Sequence, residues 1–222
     1  MQRFICEQNI AHFEKLLNET KDPVQRRTLE ALLLSARRDL SLLESKLSGA
    51  EASPLEARLR RHGEAGAILE EFKPEFEASA HPYMLIDPGP GLRIVDINDA
   101  YARATFTRRD DVVGRSLFEI FPDNPDDSLA DGVANLFTSL RTVVKTNQPH
   151  AMAVQRYDIR DLNGNFVERH WLPINSPIHD GDGILIYLLH HVEDVTAEVT
   201  SAGPQPKRIS GPRADPTATE KA

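Results

Sequence analysis

The sequence is short of most of the residues from which active centres are built. It holds one cysteine, Cys6, among 222 residues. No disulfide can form within the chain, and a reducing compartment, the cytoplasm, is the expected setting. Basic residues are in deficit: 26 Lys and Arg stand against 34 Asp and Glu, a formal charge of -8. Phosphate backbones are held by clustered Lys and Arg that release counterions, so nucleic acid is excluded as a target class. No apolar run approaches the length that crosses a bilayer, and the opening MQRFICEQNIAHFEKLL lacks the basic-then-apolar order of a signal peptide. No membrane contact is expected except through a partner. There is no Gly-x-Ser-x-Gly elbow to set a serine against a base and an orienting acid, and no catalytic constellation emerges, so the chain is not expected to be an enzyme.

Two clusters invite a metal and fail on chemistry. Asp123, Asp126, Asp127 and Asp131 lack the turn glycine and terminal glutamate of a calcium loop, and read as the solvated entry to a helix that Asp127 or Ser128 caps. His190 and His191 are neighbours on a strand, so one side chain faces inward and the pair cannot hold one metal from the same face. No metal site is assigned.

What is present is a globular composition, 40% hydrophobic and 27% charged, of a length suited to one domain and an accessory segment. Cys6, Ile10, Phe13 and Leu17 recur at steps of four and three, which predicts an amphipathic helix over 2–20. Asp22 and Pro23 start a second helix, to about Leu47, with a seam of Leu29, Leu33, Ala36, Leu40, Leu43 and Leu47. The pair can fold as a hairpin, yet stripes this wide leave apolar surface over. Residues 1–50 are therefore expected to form a coiled-coil homodimer through Leu29, Leu33, Leu40, Leu43 and Leu47. Glu7, Glu14, Lys15, Glu44 and Lys46 read as a solvated face. Ser53-Pro54-Leu55-Glu56 restarts a helix in the connecting stretch 51–73, and a short helix is expected over 74–79 with Phe76 inward.

The chain then turns to strands. Tyr83 to Ile86 and Leu92 to Ile97 flank the turn-rich Asp87-Pro88-Gly89-Pro90-Gly91, which predicts a hairpin, and Asn98 caps a helix with Tyr101 pointing back at the strands. Short helical turns follow at 108–115 and 116–121. A longer helix at 129–146 has an apolar face of Val133, Leu136, Phe137, Leu140, Val143 and Val144. Strands are expected at 151–158 and 166–174 around Asn163-Gly164, and a continuously apolar, hence central, strand at 184–192. From Ala197 the chain offers little to bury and is expected to be disordered over 198–222.

In this order and spacing, HPYMLIDPGPGLRIVDINDAYARAT, VVGRSLFEIFP, YDIRDLNGNFVERHWLPINSPI and ILIYLLHHVEDVT resemble the PAS superfamily, in particular bacterial sensor modules with a (V/I)N.AY turn and a terminal D-(I/V)-T. The resemblance spans about half of the chain, the length of a small compact domain. It implies an α+β fold, a PAS-like five-stranded antiparallel sheet with flanking helices over 74–197, preceded by the helical segment. The long helix is then expected to close a cavity. Tyr101, Phe118, Phe121, Phe137, Leu140, Tyr157, Trp171 and Tyr187 either line it or simply fill the core.

The resemblance also sorts cofactors. The light-sensing flavin branch uses a cysteine after the second strand, and 98–147 has none, which excludes that photochemistry. One haem branch uses a histidine on the long helix; 129–146 has none, leaving His150 as the candidate beside it. No cofactor is identified. The expected function is that of a stand-alone cytoplasmic sensor without an output domain. It acts by protein contact on a histidine kinase or other regulator in trans, with a small-molecule ligand in its cavity. The alternatives are a ligand-free adaptor and a haem or redox-cofactor sensor. Asp194 and Thr196 form the expected signal junction, the acid being held by Arg156, Arg160 or Arg169.

Overall fold

The computed structural model describes residues 1–50, 70 and 72–201. The helix expected from Ser53 and most of the tail lie outside the described residues.

Helix α1 (Gln2–Glu19) and helix α2 (Pro23–Ser48) form an antiparallel hairpin. The Asp22 carboxylate accepts from the amides of Val24 at 2.8 Å and Gln25 at 3.5 Å, satisfying donors that a helix start leaves open. Arg26 donates back to the carbonyls of Leu17 and Thr20, closing the end of α1. Within the single chain the seam is used unevenly. Leu33 and Ala36 are buried, Leu29, Leu40 and Leu43 are half-buried, and Leu47 is 63% exposed.

The second face of α2 packs on the long helix α6 (Gly132–Thr146), so the hairpin is joined to the domain that follows it. Glu44 is not a solvated residue: it pairs with Arg3 at 3.1 Å and with Arg141 of α6. Just past α2, the Ala50 amide donates to the Pro88 carbonyl at 2.9 Å and the Gly91 amide to the Ser45 carbonyl at 2.8 Å.

The sheet is antiparallel. Its strands are β1 (Tyr83–Ile86), β2 (Ile94–Ile97), β3 (His150–Ala151), β4 (Gln155–Arg156), β7 (His170–His179) and β8 (Leu185–Asp194), in the order β2-β1-β8-β7-β3 with β4 further along β7. The continuously apolar β8 lies between β1 and β7, as its composition predicts. The expected third strand is broken in two. Ala151 stands opposite Ile174 and Gln155 opposite Trp171, so four steps on one strand span three on the other. The bulge falls beside Pro173, which has no N–H to give to the ladder. Strands β5 (Ile159–Arg160) and β6 (Phe166–Val167) form a separate ribbon. Its turn is closed by Asp161, which accepts from the Asn163 and Asn165 amides, with Gly164 at φ 84.

Three short helices, α3 (Asp99–Thr105), α4 (Arg109–Val112) and α5 (Leu117–Ile120), join α6 over one face of the sheet. Helix α6 begins at Gly132, later than the expected Leu129. Its first-turn amide at Val133 is taken by the buried Asp123 at 2.9 Å, while Asp127 serves the local turn at Leu129. The helical residues 72–78 cover the other face, where Phe76, Leu85, Ile186 and Tyr187 cluster. Asn98 joins the layers. Fully buried, its side-chain oxygen accepts from the amides of Tyr83 and Tyr101, and its nitrogen donates to the carbonyls of Phe76 and His81. After β8 the chain is helical again over α7 (Thr196–Ser201), so the expected disorder does not begin at 198.

Candidate functional site

A cavity of about 50 Å³ lies between β7, β8 and helices α3, α5 and α6. That is room for roughly three to five water molecules. Tyr101, Phe121, Tyr157 and Trp171 line it, as the sequence suggests, with Leu136, Met152, His190 and Val192. Phe118, Phe137 and Leu140 do not. They form the next layer of core, with the first two edge to face at 6.4 Å between ring centres. Tyr187 lies on the opposite face of the sheet beside Phe76. Strand alternation sends Leu188, His190 and Val192 to the cavity side and Tyr187 the other way.

Tyr157 donates its hydroxyl to the Phe121 carbonyl at 2.5 Å, and Trp171 donates its indole N–H to the Tyr157 carbonyl at 2.9 Å. Gly132 is required for this packing, because a Cβ there would overlap the Tyr157 ring. Burial pushes both tyrosine hydroxyls, at 101 and 157, well above their ordinary range.

The polar feature of the wall is a chain of hydrogen bonds. His190 Nδ1 meets Asn175 Oδ1 at 2.7 Å, Asn175 Nδ2 donates to Ser139 Oγ at 2.7 Å, and Ser139 Oγ meets His150 Nδ1 at 2.7 Å. The amide sets the direction of its own two bonds. Its oxygen must accept, so His190 carries its proton on Nδ1; the Ser139 hydroxyl accepts from the amide nitrogen and shares one further hydrogen bond with His150 Nδ1. Burial, with a smaller contribution from His191, lowers the His190 pKa to about 3. His190 is therefore neutral at pH 7 and keeps an unprotonated Nε2, an acceptor for a ligand's N–H or O–H. The signal for this site in the sequence is Asn175, a polar residue on the inward face of an apolar strand.

The cofactor alternatives do not fit this wall. His150 is spoken for by Ser139 and is absent from the lining, and a pocket for a bound organic cofactor needs roughly 300 Å³ or more.

The junction at the end of β8 is built against the start of β7. Of the three candidate arginines, Arg169 reaches Asp194, at 3.4 Å, and lies over the Phe106 ring at 5.5 Å. Arg156 pairs instead with Asp127, Asp158 and Glu168, and Arg160 lies over Phe166. The Asp194 carboxylate accepts from the Thr196 amide at 3.0 Å and hydroxyl at 2.5 Å, while Thr196 Oγ1 accepts from the His170 amide at 2.9 Å. Asp194 thus starts α7 while fastened to β7.

Residues 76–200 match the family described as PAS fold. Similar solved structures include a LOV protein from Rhodobacter sphaeroides, 16% identical over 57% of this chain and 67% of that one, with a TM-score of 0.45. The PAS domain of the fruit-fly ELK potassium channel is 14% identical over 58% of this chain and 97% of that one, with a TM-score of 0.41. A PAS domain from Colwellia psychrerythraea is 13% identical over 59% and 98%, with a TM-score of 0.43. No curated protein matches the chain.

Proposed function

The chain belongs to the PAS-fold family, which matches residues 76–200, and on that footing we propose that it is a sensor whose input is a molecule of only a few heavy atoms beside His190, the size that the cavity admits, and whose output is a protein contact at the Asp194–Thr196 junction and α7. Domains of this family are generally sensory, non-catalytic modules. What supports this assignment is that cavity and junction share two strands. Trp171, in the cavity wall, stands directly opposite Asp194, and Val192, also in the wall, lies two residues before it. A ligand that shifts Trp171 changes the bed on which Asp194 and Arg169 rest, and so biases α7 between two arrangements. The partner is a histidine kinase or other regulator acting in trans in the cytoplasm. Among the described residues no helix is long and apolar enough to cross a membrane.

The test is recovery of partners from native lysate by the protein and by Asp194→Ala, with melting curves for both. Changed recovery at unchanged melting is expected; equal recovery would place the signalling surface elsewhere. Mass spectrometry of small molecules released on denaturing protein from its native host addresses the input. The small cavity favours one second assignment, a ligand-free adaptor, which predicts that nothing is released.

A further inference from the structure

On the face of the sheet away from the cavity, we infer that His81, His191 and Glu193 form a binding site for a divalent transition-metal ion of the Zn²⁺ class. Glu193 Oε1 lies 2.6 Å from His81 Nδ1 and 2.8 Å from His191 Nε2, and the three candidate ligand atoms all fall within 4.8 Å of one another. Among the described residues these are the His, Cys, Asp or Glu side chains that converge in this way. A tetrahedral Zn²⁺ with nitrogen and oxygen ligands at about 2.0–2.2 Å needs them about 3.4 Å apart. The His81 side chain, 62% exposed, is free to make that adjustment. Two imidazoles and one carboxylate suit Zn²⁺ and its late first-row neighbours; Ca²⁺ and Mg²⁺ call for oxygen ligands throughout.

The scaffold under the site is rigid. His191 and Glu193 are two apart on β8 and so share a face, and His191 stands opposite Tyr83, its ring 5.0 Å from the tyrosine ring. The main chain of His81 is pinned at both ends: its carbonyl accepts from the buried Asn98 side chain at 2.8 Å and its amide donates to Ser79 Oγ at 3.1 Å. In the metal-free protein the carboxylate occupies the gap, accepting from both rings. An incoming cation takes the nitrogen lone pairs and the carboxylate oxygen together, leaving a coordination position open to water or a partner's side chain.

The placement gives the ion a role. It would clip the entry of β1 to the last residues of β8, one residue before Asp194, and so stiffen the strand end from which α7 departs. The site does not depend on the cavity's having a ligand, and its test does not use one.

The experiment is titration of full-length, untagged, chelator-treated protein with Zn²⁺ alone, in competition with a chromophoric chelator. The wild type is compared with His81→Ala, Glu193→Gln and a control, His12→Ala, in which an exposed histidine elsewhere is removed. One ion per chain is expected, with affinity reduced at least tenfold in the first two variants, since loss of a supporting hydrogen bond alone costs about 10–100-fold at metal sites. The control should match the wild type. Co²⁺ loading should give a visible absorption band that is absent from His81→Ala, a signature that a merely destabilised fold does not mimic. Equal affinity in wild type and His81→Ala, equal losses in all three variants, or binding only at millimolar Zn²⁺ would each overturn the assignment.

Discussion

Gly49→Ala tests whether the N-terminal hairpin is an integral part of the sensor. Gly49 ends α2 at φ 67, ψ -148, a region essentially closed to residues with a Cβ. Space is closed as well, because a Cβ there would overlap the backbone carbonyls of Gly89 and Pro88. Main chain cannot rotate aside as a side chain does, so relief requires the end of α2 to lift off the β1–β2 turn. Lifting breaks the bonds from Ala50 to Pro88 and from Gly91 to Ser45. The backbone strain costs about 1–3 kcal/mol, and the two hydrogen bonds contribute about 1 kcal/mol each, so docking weakens by about 3–5 kcal/mol. For a chain of this length about 1 kcal/mol corresponds to roughly 2–4 °C. The assay is a melt followed by two probes: far-UV circular dichroism, to which α1 and α2 bring about half of the described helical residues, and fluorescence of Trp171, the one tryptophan, which sits in the core. In Gly49→Ala the helical signal should fall at least about 6 °C earlier than in the wild type, and should separate from the Trp171 transition. A single coincident transition at the wild-type temperature would refute the reasoning and leave the α2 contact as incidental.

Asn98→Ala removes two acceptor and two donor interactions at a fully buried residue. A loss of at least about 3 kcal/mol is expected, read as a lower urea midpoint at unchanged slope; a shift below about 1 kcal/mol would contradict the four-way role. His190 predicts a pH dependence: with a folded pKa of about 3, below the ordinary value, the native protein binds fewer protons there than the unfolded chain across the interval between them. Stability is therefore full above about pH 6.5 and declines as pH falls toward the folded value. The decline at pH 5 amounts to about 2 kcal/mol, and the pH 7.5 to pH 5 difference should shrink by that amount in His190→Gln. Self-association is proposed through the outward apolar residues of the hairpin, among them Phe4, Leu32 and Leu47, which are 62%, 44% and 63% exposed. Light scattering should give a dimer that Leu47→Asp dissociates into a monomer that still unfolds cooperatively, with the melting temperature losing its dependence on protein concentration. A wild-type monomer at tens of micromolar, where a specific interface is occupied, would remove the proposal. Leu40 and Leu43 do not serve as well for this test, being half-buried within the chain itself.

The features legible in the sequence are those whose cause is local. Asn98 and Asp22 announce helix starts because a cap bonds amides two or three residues away, and Asn163-Gly164 announces a turn because Gly164 alone admits its φ of 84. The central place of β8 follows from its unbroken apolarity. Four of the fourteen lining residues were within reach, because Tyr101, Phe121, Tyr157 and Trp171 are large aromatics that a core or a cavity draws inward. Whatever depends on closure between distant segments was decided only in three dimensions. Tyr187 faces away because the parity of β8 is set by its pairing with β1 and β7, not by its own residues. The third strand breaks because Pro173, on another strand, withholds a donor. Asp123 is buried under α6 and α2, and not solvated, because Val133 and Arg38 converge on it. His81 and Glu193, 112 residues apart, touch because β1 lies beside β8. Patterns of period and cap specify which elements form; the partner that each side chain meets is chosen when the apolar faces of those elements are buried together, and no local pattern encodes that choice.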